Sequence, residues 1–216
     1  MAKPLEINFE FRNQRFTDAS AGLQAFMAAI NKDFAEEAPK ILSKELRNFL
    51  DTVALALSRR HGVAWKAGTT PTTLSVRSGD AIKSIVESVR VEGTTFADMK
   101  GYIGGAFPLA THEFGATIVS KGKLLTIPLD AALDSRGIPL KAKAGDWDKT
   151  FVAKSKKGNL IIFRKVGAQI VPLYVLKSKV VIPARLGMGD TLKTGLPYFV
   201  ERAMDQIVKN VTGGGK

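Results

Sequence analysis

The sequence predicts an α+β fold, in which an antiparallel, partly curled β-sheet of hairpins packs against a long N-terminal helix and a C-terminal helix. Apolar side chains recur at helical spacing near both ends of the chain. Short apolar segments separated by turn residues follow one another from Ala116 onward. This order favours α+β over a doubly wound parallel sheet. Because 216 residues can bury one sizeable core, we expect a single domain over residues 1–212 with a basic hairpin insertion at about 130–170.

The N-terminal third predicts one strand and a long helical region. Apolar residues that alternate with polar ones indicate a half-buried strand, and they are Leu5, Ile7, Phe9 and Phe11. Thr17 and Asp18 offer side-chain oxygens that can cap the following helix. The apolar stripe of that helix comprises Leu23, Phe26, Met27, Ile30, Phe34, Leu42, Leu46, Phe49, Val53 and Leu57. Pro39 interrupts the stripe, so we expect one kinked helix or two helices, with a C-cap at Gly62.

The middle of the sequence predicts a loop, a short helix, two strands and a second short helix. Residues 67–75 are small and polar, which is typical of an exposed loop. Ser78 can cap the first short helix. A helix over 107–114 would end at Gly115, because glycine accepts a positive φ. The two strands are expected to begin at Val89 and to span 95–103.

The second half of the sequence predicts hairpins and a final helix. The expected strands are 116–119 paired with 124–128, 150–154 paired with 160–164, and then 170–176 and 180–182. Pro197 is typical of a helix start. The expected inner face of this last helix comprises Val200, Met204, Ile207, Val208 and Val211. We expect the glycine-rich tail at 213–216 to be disordered.

Composition limits the environment of the chain. The sequence contains no cysteine, which excludes disulfides and thiolate metal sites. No apolar run approaches the roughly 18 residues that a bilayer crossing requires. Residues 1–10 alternate polar and apolar side chains and lack the apolar block of a signal peptide. We therefore expect a protein made and used in a cytoplasm, or in a particle assembled there.

The sequence lacks the residue patterns of common catalytic and cofactor sites. His112-Glu113 begins like a zinc-protease helix, but the second histidine would stand where Ala116 does. No Gly-x-Ser-x-Gly nucleophile elbow occurs. Gly122-Lys123 lacks the serine or threonine that follows in a phosphate-binding loop. We therefore expect no enzymatic activity, catalytic residue, metal, cofactor or small-molecule substrate.

Positive charge is concentrated in the second half of the chain. Of the 32 basic and 20 acidic residues, positions 116–216 hold 18 and 7, which is a net +11 of the total +12. We expect contacts with packaged DNA or an acidic protein surface at Lys154, Lys156, Lys157, Arg164 and Lys165. The same stretch, 136–185, is also typical of a solvated surface in which lysines prevent strand edges from aggregating. Both interpretations stay open.

Three groups of short segments occur in an order that is typical of one protein family. The first is Val76-Arg77-Ser78-Gly79. The second is Tyr102 followed by Thr111-His112-Glu113-Phe114-Gly115. The third is Leu124-Leu125-Thr126-Ile127-Pro128, then Pro172-Leu173-Tyr174-Val175-Leu176, then Val181-Ile182-Pro183-Ala184-Arg185. Together, over about residues 76–187, they resemble the tailed-bacteriophage neck and tail-completion proteins, which include virion-morphogenesis and minor-tail types.

The resemblance implies a structural virion protein at the joint between head and tail, assembled in the host cytoplasm. Its partners would be further copies of itself in a ring, most simply a hexamer, the head connector or stopper, and the tail terminator or tail tube. The motif residues with a structural or interface role would be Arg77, Ser78, Gly79, Tyr102, His112, Glu113, Phe114, Gly115, Pro183, Ala184 and Arg185. The alternative function does not depend on the resemblance: it is sequence-independent DNA binding through the basic residues of 136–185.

Elementary stereochemistry predicts a structural role for several motif residues. Gly79 would allow a close approach in the first turn of a helix that Ser78 caps. Pro183 would end a strand at a point where its missing amide is not needed. Glu113 and Arg185 carry opposite charges and would be partners within one subunit or across an interface.

Overall fold

A computed structural model describes residues 9–11, 14–16, 19–65, 72–105 and 108–211, and it confirms the α+β fold. The N-terminal elements, in chain order, are β1 (Phe9–Phe11), β2 (Gln14–Phe16), α1 (Ala19–Arg60), β3 (Val63–Ala64), β4 (Ser75–Val76), α2 (Asp80–Ser88), β5 (Arg90–Glu92), β6 (Lys100–Tyr102) and α3 (Leu109–Phe114). They are followed by β7 (Ala116–Val119), β8 (Leu125–Pro128), β9 (Thr150–Lys154), β10 (Leu160–Val166), β11 (Gln169–Lys177), β12 (Lys179–Ile182) and α4 (Met188–Val211). The predictions for Leu5, Ile7, Thr17, Asp18 and the tail 213–216 lie outside the described residues.

The described residues fall into two compact units. The first unit takes its residues from 1–50, 90–102 and 194–216, and the second from 51–89 and 103–193. The single domain expected over 1–212 stays a prediction, because packing into compact units does not show whether each unit folds alone. Within the described part of the chain, no helix has both the length and the apolar character that a bilayer crossing requires.

The core of the first unit lies between α1 and α4. Ala38, Ile207 and Val211 are buried there, and Ile30, Ile41 and Leu42 pack against them. The rings of Phe49 and Phe199 stack with centroids 5.2 Å apart. Pro39 lies inside α1, which is one kinked helix of 42 residues rather than two.

The second unit is built around a four-stranded antiparallel sheet in the order β8-β11-β10-β9. Leu173 and Tyr174 on β11 are buried in one cluster with Ala132. The Trp147 indole N–H donates a hydrogen bond to the Tyr174 hydroxyl over 3.1 Å. The predicted hairpin of β9 and β10 is confirmed, and Gly158 in its turn has a φ of 77°. The basic segment expected as an insertion therefore supplies two strands of the sheet.

The predicted pairing of strands 116–119 and 124–128 is wrong. β7 pairs with β12, and β8 pairs with β11. The amide of Ser120 bonds to the carbonyl of Ser178, so the chain leaves β7 beside β12 and does not fold back on itself. Residues 120–123 consequently connect two different sheets.

Three helix and strand boundaries also differ from the prediction. α4 begins at Met188, nine residues before Pro197, which lies inside the helix. Val200, Met204 and Val208 are about half exposed, so the buried face of α4 is formed by Ala203, Ile207 and Val211. The strand expected over 95–103 is confined to β6, because the Asp98 carboxylate accepts hydrogen bonds from the amides of Thr94 and Thr95 and forms a turn. Ser75, the last residue of the expected loop 67–75, forms β4 with Val76, and residues 67–71 of that loop lie outside the described part.

Candidate functional site

Residues from all three motif groups belong to the second unit and meet around one cleft of about 440 Å³. We call this the motif cleft. The described residues that line it are His61, Trp65, Leu74, Ser75, Val76, Arg77, Ser78, Gly79, Ala81, Ile82, Pro108, Leu109, His112 and Arg185. Five of the motif residues, Arg77, Ser78, Gly79, His112 and Arg185, are among them.

One wall of the cleft forms where α3 meets the segment that follows β12. The carbonyl of His112 accepts hydrogen bonds from the amides of Arg185 and Leu186, at 2.6 and 2.9 Å. Gly115 ends α3 with a φ of 72°, as predicted, and a Cβ there would lie 3.1 Å from the Ile182 carbonyl oxygen. Pro183 directly follows the last residue of β12, also as predicted. The second and third motif groups are therefore held together mainly by their backbones.

Glu113 caps the N-terminus of α4. Its two carboxylate oxygens accept hydrogen bonds from the amides of Met188 and Gly189, both at 2.8 Å. These amides have no partner inside the helix, and a negative charge is favourable at this end of the helix dipole. Among the described residues, Glu113 and Arg185 form no ion pair within one subunit, so that form of the predicted pairing is wrong, and the Glu113 oxygens bind the α4 amides instead. A pairing across an interface stays a prediction.

His61 lies at the base of the cleft and joins three segments of the chain. Its side chain is buried, and Nδ1 accepts a hydrogen bond from the Leu74 amide over 3.1 Å. Nε2 is 2.9 Å from the Leu186 carbonyl oxygen, to which it donates, since Nδ1 already acts as an acceptor. Burial lowers the pKa of His61, the bond to Leu186 opposes this change, and the charge of Arg60 adds to it. The imidazole is therefore neutral near pH 7.

The first motif group also lines the cleft. The N-cap of α2 is Gly79, with a φ of 88°, and the Ser78 hydroxyl accepts a long hydrogen bond from the Asp80 amide over 3.4 Å. The prediction that Ser78 itself is the capping residue is therefore wrong. The close approach expected at Gly79 is wrong as well, because a Cβ there would meet nothing within 4 Å. Glycine is suited to this position because a left-handed backbone strains other residues.

The cleft is electropositive, and several of its polar atoms have no partner. The Cζ of Arg77 lies 4.1 Å from the centre of the Trp65 ring, and burial lowers the pKa of Arg77. Burial lowers the pKa of His112, and the charge of Arg185 lowers it further. Of the four buried side-chain atoms that lack a hydrogen-bond partner in the described part of the chain, three belong to residues of the cleft: Trp65 Nε1, His112 Nδ1 and Arg185 Nε. The fourth is Arg164 Nε, outside the cleft.

The remaining motif residues lie away from the cleft lining. Tyr102 belongs to β6 in the first unit, where the Cζ of Arg90 lies 4.2 Å from its ring centre. The Phe114 side chain is 83% exposed, and Ala184 is also exposed. Of these, Phe114 is unusual, because a phenylalanine this exposed leaves most of its apolar area in water.

The basic residues expected to contact DNA or an acidic partner occupy two different environments. Lys154, Lys156, Lys157 and Lys165 are exposed on the β9–β10 hairpin. Arg164 instead donates a hydrogen bond to Asp148 over 2.6 Å, and its Cζ lies 5.1 Å from the Trp147 ring centre. The hydrogen bond and the charge of Arg164 lower the pKa of Asp148. Arg164 therefore stabilises the loop before β9, and its contact with a partner stays a prediction.

Sequence reasoning missed Trp65 and assigned no role to His61. Trp65 is one of only two tryptophans in the chain, and its position between α1 and the loop 67–75 was the available signal. Among the described residues, no cluster of three or more His, Asp or Glu side chains is arranged to hold a metal ion. Comparison of the chain with protein-family models, curated proteins and solved structures finds no match. The resemblance to phage neck and tail-completion proteins therefore rests on the motifs alone and is considered below as a proposal.

Proposed function

We propose that this chain is a structural subunit of a tailed-bacteriophage particle, which assembles into a ring between the head connector and the tail tube. The observation that carries the proposal is apolar surface left exposed on two separate elements. A subunit of a closed ring contacts its two neighbours through two different patches, because the contacts are related by rotation and are not symmetric. The chain offers one such patch in each of its two units.

The first patch is the two-stranded sheet of β7 and β12 together with Phe114, here called the apolar ribbon. Val119 and Val181 point to one face of it, which they share with Thr117 and Lys179, and are 62% and 67% exposed. Among the described strands, neither β7 nor β12 pairs with a third. Isolated two-stranded sheets are only marginally stable in water. A neighbouring subunit that covered this face would stabilise the ribbon and remove its valines from water.

The second patch runs along α4. Leu196, Val200 and Met204 are spaced four residues apart and are about half exposed, so they form one stripe on the helix surface. α4 also needs a buried face that packs in the core of its own subunit. Ala203, Ile207 and Val211 form that face. α4 thus has enough apolar side chains for its own core and for a contact outside the subunit.

A complementation assay tests this proposal in the phage that encodes the chain. An amber mutation in the gene should give heads and tails that fail to join, and supplying the wild-type chain should restore joined particles. Val181→Lys should restore at least about tenfold fewer joined particles, because it places a charge in an apolar contact. Val86→Lys is the matched control, since Val86 is 48% exposed on α2, outside the ribbon.

Two outcomes would contradict the proposal. If the amber mutant gave normal joined particles, the protein would not be required at the head–tail joint. Full restoration by Val181→Lys, in a chain shown by circular dichroism to be folded, would remove the apolar ribbon from the interface.

Sequence-independent DNA binding is the second candidate, favoured by the exposed Lys154, Lys156 and Lys157 at one hairpin turn. Lysines bind phosphate as point charges and release counterions, so affinity falls steeply with salt. If this function holds, replacing all three with glutamine should reduce the slope of log affinity against log salt by about 2.7, at about 0.9 per phosphate contact. An unchanged slope would exclude this hairpin as the DNA contact.

A further inference from the structure

The motif cleft contains buried hydrogen-bonding groups that lack a partner. Trp65 Nε1, His112 Nδ1 and Arg185 Nε are shielded from solvent and have no hydrogen-bond partner among the described residues. All three residues line the same cleft. An unpaired buried N–H group is unfavourable, because it has lost its bond to water without gaining another. Indole and guanidinium nitrogens only donate, so a ligand for them must bring acceptor oxygens.

The charge of the cleft indicates that this acceptor is negative. Arg77 and Arg185 both line it, and none of the described lining residues is acidic. The apolar side chains that surround them include Leu74, Val76, Ile82 and Leu109. Charge interactions are stronger in such surroundings than in water, because the local dielectric constant is lower. An arginine that lies over an aromatic ring is also held in place to receive a planar or tetrahedral anion.

We propose that the motif cleft binds an oxyanion, a carboxylate or a phosphate, that is carried on an apolar stem. The guanidinium groups of Arg77 and Arg185 bind the oxyanion, and the Trp65 indole N–H donates to one of its oxygens. The apolar lining accepts the stem. This inference goes beyond ring assembly and does not depend on it, since the cleft lies within one unit of one chain.

The tryptophans of the chain provide a direct readout by nuclear magnetic resonance. Trp65 and Trp147 are the only two, so the full-length protein shows two indole N–H signals, which Trp65→Phe assigns. The Trp147 N–H already donates to Tyr174 and serves as an internal control. Titration with hexanoate or hexyl phosphate should shift the Trp65 signal saturably, with a dissociation constant on the order of 1 mM. The better of the two ligands identifies the natural group as carboxylate or phosphate.

Matched arginine variants show whether the anion binds at the proposed groups. Arg77→Gln and Arg185→Gln should each weaken binding at least about tenfold, since each removes a charged donor. Arg90→Gln is the control, because Arg90 also lies over an aromatic ring, that of Tyr102, but does not line the cleft. It should change the affinity by less than about twofold. Arg77 is exposed, so its variant keeps the test valid if Arg185→Gln fails to fold.

Three results would overturn the proposal. The first would be that neither anion shifts the Trp65 signal, or that both tryptophan signals move together, as they would with ionic strength alone. Hexan-1-ol binds as tightly as the two anions, which would show that the cleft recognises only the stem. Finally, folded Arg77→Gln binds hexanoate and hexyl phosphate as the wild type does.

Discussion

Glu113 and His61 both connect segments that are far apart in the sequence. Glu113 bonds to the first turn of α4, which begins 75 positions later. His61 bonds to Leu186 across 125 positions. In the sequence, Glu113 is one residue of a motif and His61 is an isolated histidine. Their partners could not be predicted, because these are backbone groups that carry no sequence signal. Long-range polar contacts of this kind can be identified only in the folded structure.

Replacing Glu113 with alanine should destabilise the protein by about 1–3 kcal/mol, because two amides at the start of α4 lose their acceptor. Urea unfolding at neutral pH measures the change. Glu87→Ala is the control, since Glu87 is exposed and forms only a surface ion pair with Lys83. That variant should cost less than about 0.5 kcal/mol. Equal effects of the two substitutions would show that Glu113 does not cap α4.

The two histidines should make stability depend on pH in a defined direction. Burial lowers the folded-state pKa of both His61 and His112 below the value of about 6.5 in the unfolded chain. Above that pH neither state binds the extra proton, and the full stability is present. Below it the unfolded chain is protonated first, so stability falls by up to about 1.4 kcal/mol per pH unit for each histidine.

Urea unfolding at pH 7.5, 6.5 and 5.5 tests this pH dependence. The free energy of unfolding should be nearly constant over the upper interval and decrease over the lower one. His61→Gln and His112→Gln should each reduce the slope of the lower interval. Constant or increasing stability between pH 6.5 and 5.5 would contradict the neutral, buried state assigned to His61.

At the scale of elements, local patterns predicted the helices and the β9–β10 hairpin, because adjacent segments and their turn determine these features. Strand pairing outside hairpins was not predictable in the same way. β7 and β12 are separated by about 60 residues, and only the fold brings them together. Pro197 predicts a helix start on propensity alone. The helix begins earlier because Glu113 and the backbone around Leu186 fix Met188 as its first residue.

The turn at Gly115 combines backbone strain with a close approach, and substitution can separate the two. Gly115→Ala should cost about 2–3 kcal/mol, from a positive φ and from a Cβ placed 3.1 Å from the Ile182 carbonyl oxygen. Gly122→Ala should cost only about 1 kcal/mol, because its φ is also positive but nothing lies within 4 Å of a Cβ there. Both are measured by thermal or urea unfolding. Equal costs would show that the contact between α3 and β12 is looser than described.

At the scale of the whole molecule, the exposed apolar side chains of the apolar ribbon and of α4 are the surfaces that the proposed ring would bury between subunits. The sequence indicated an assembly function only through the motif order, because exposure of a valine or methionine cannot be read from its identity. The inner face predicted for α4 illustrates this point: Met204 fits the apolar pattern but is 54% exposed. Apolar side chains that take no part in the core can be identified only after the buried residues of the core are known.

Electron cryomicroscopy of intact particles from the proposed source, a tailed phage whose genome carries this gene, tests the central claim most directly. We predict density for this protein as a closed ring, most simply of six copies, between the head connector and the tail tube. The apolar ribbon of each subunit should be covered by its neighbour. Purified, infectious particles that contain no copy of the chain would contradict the claim.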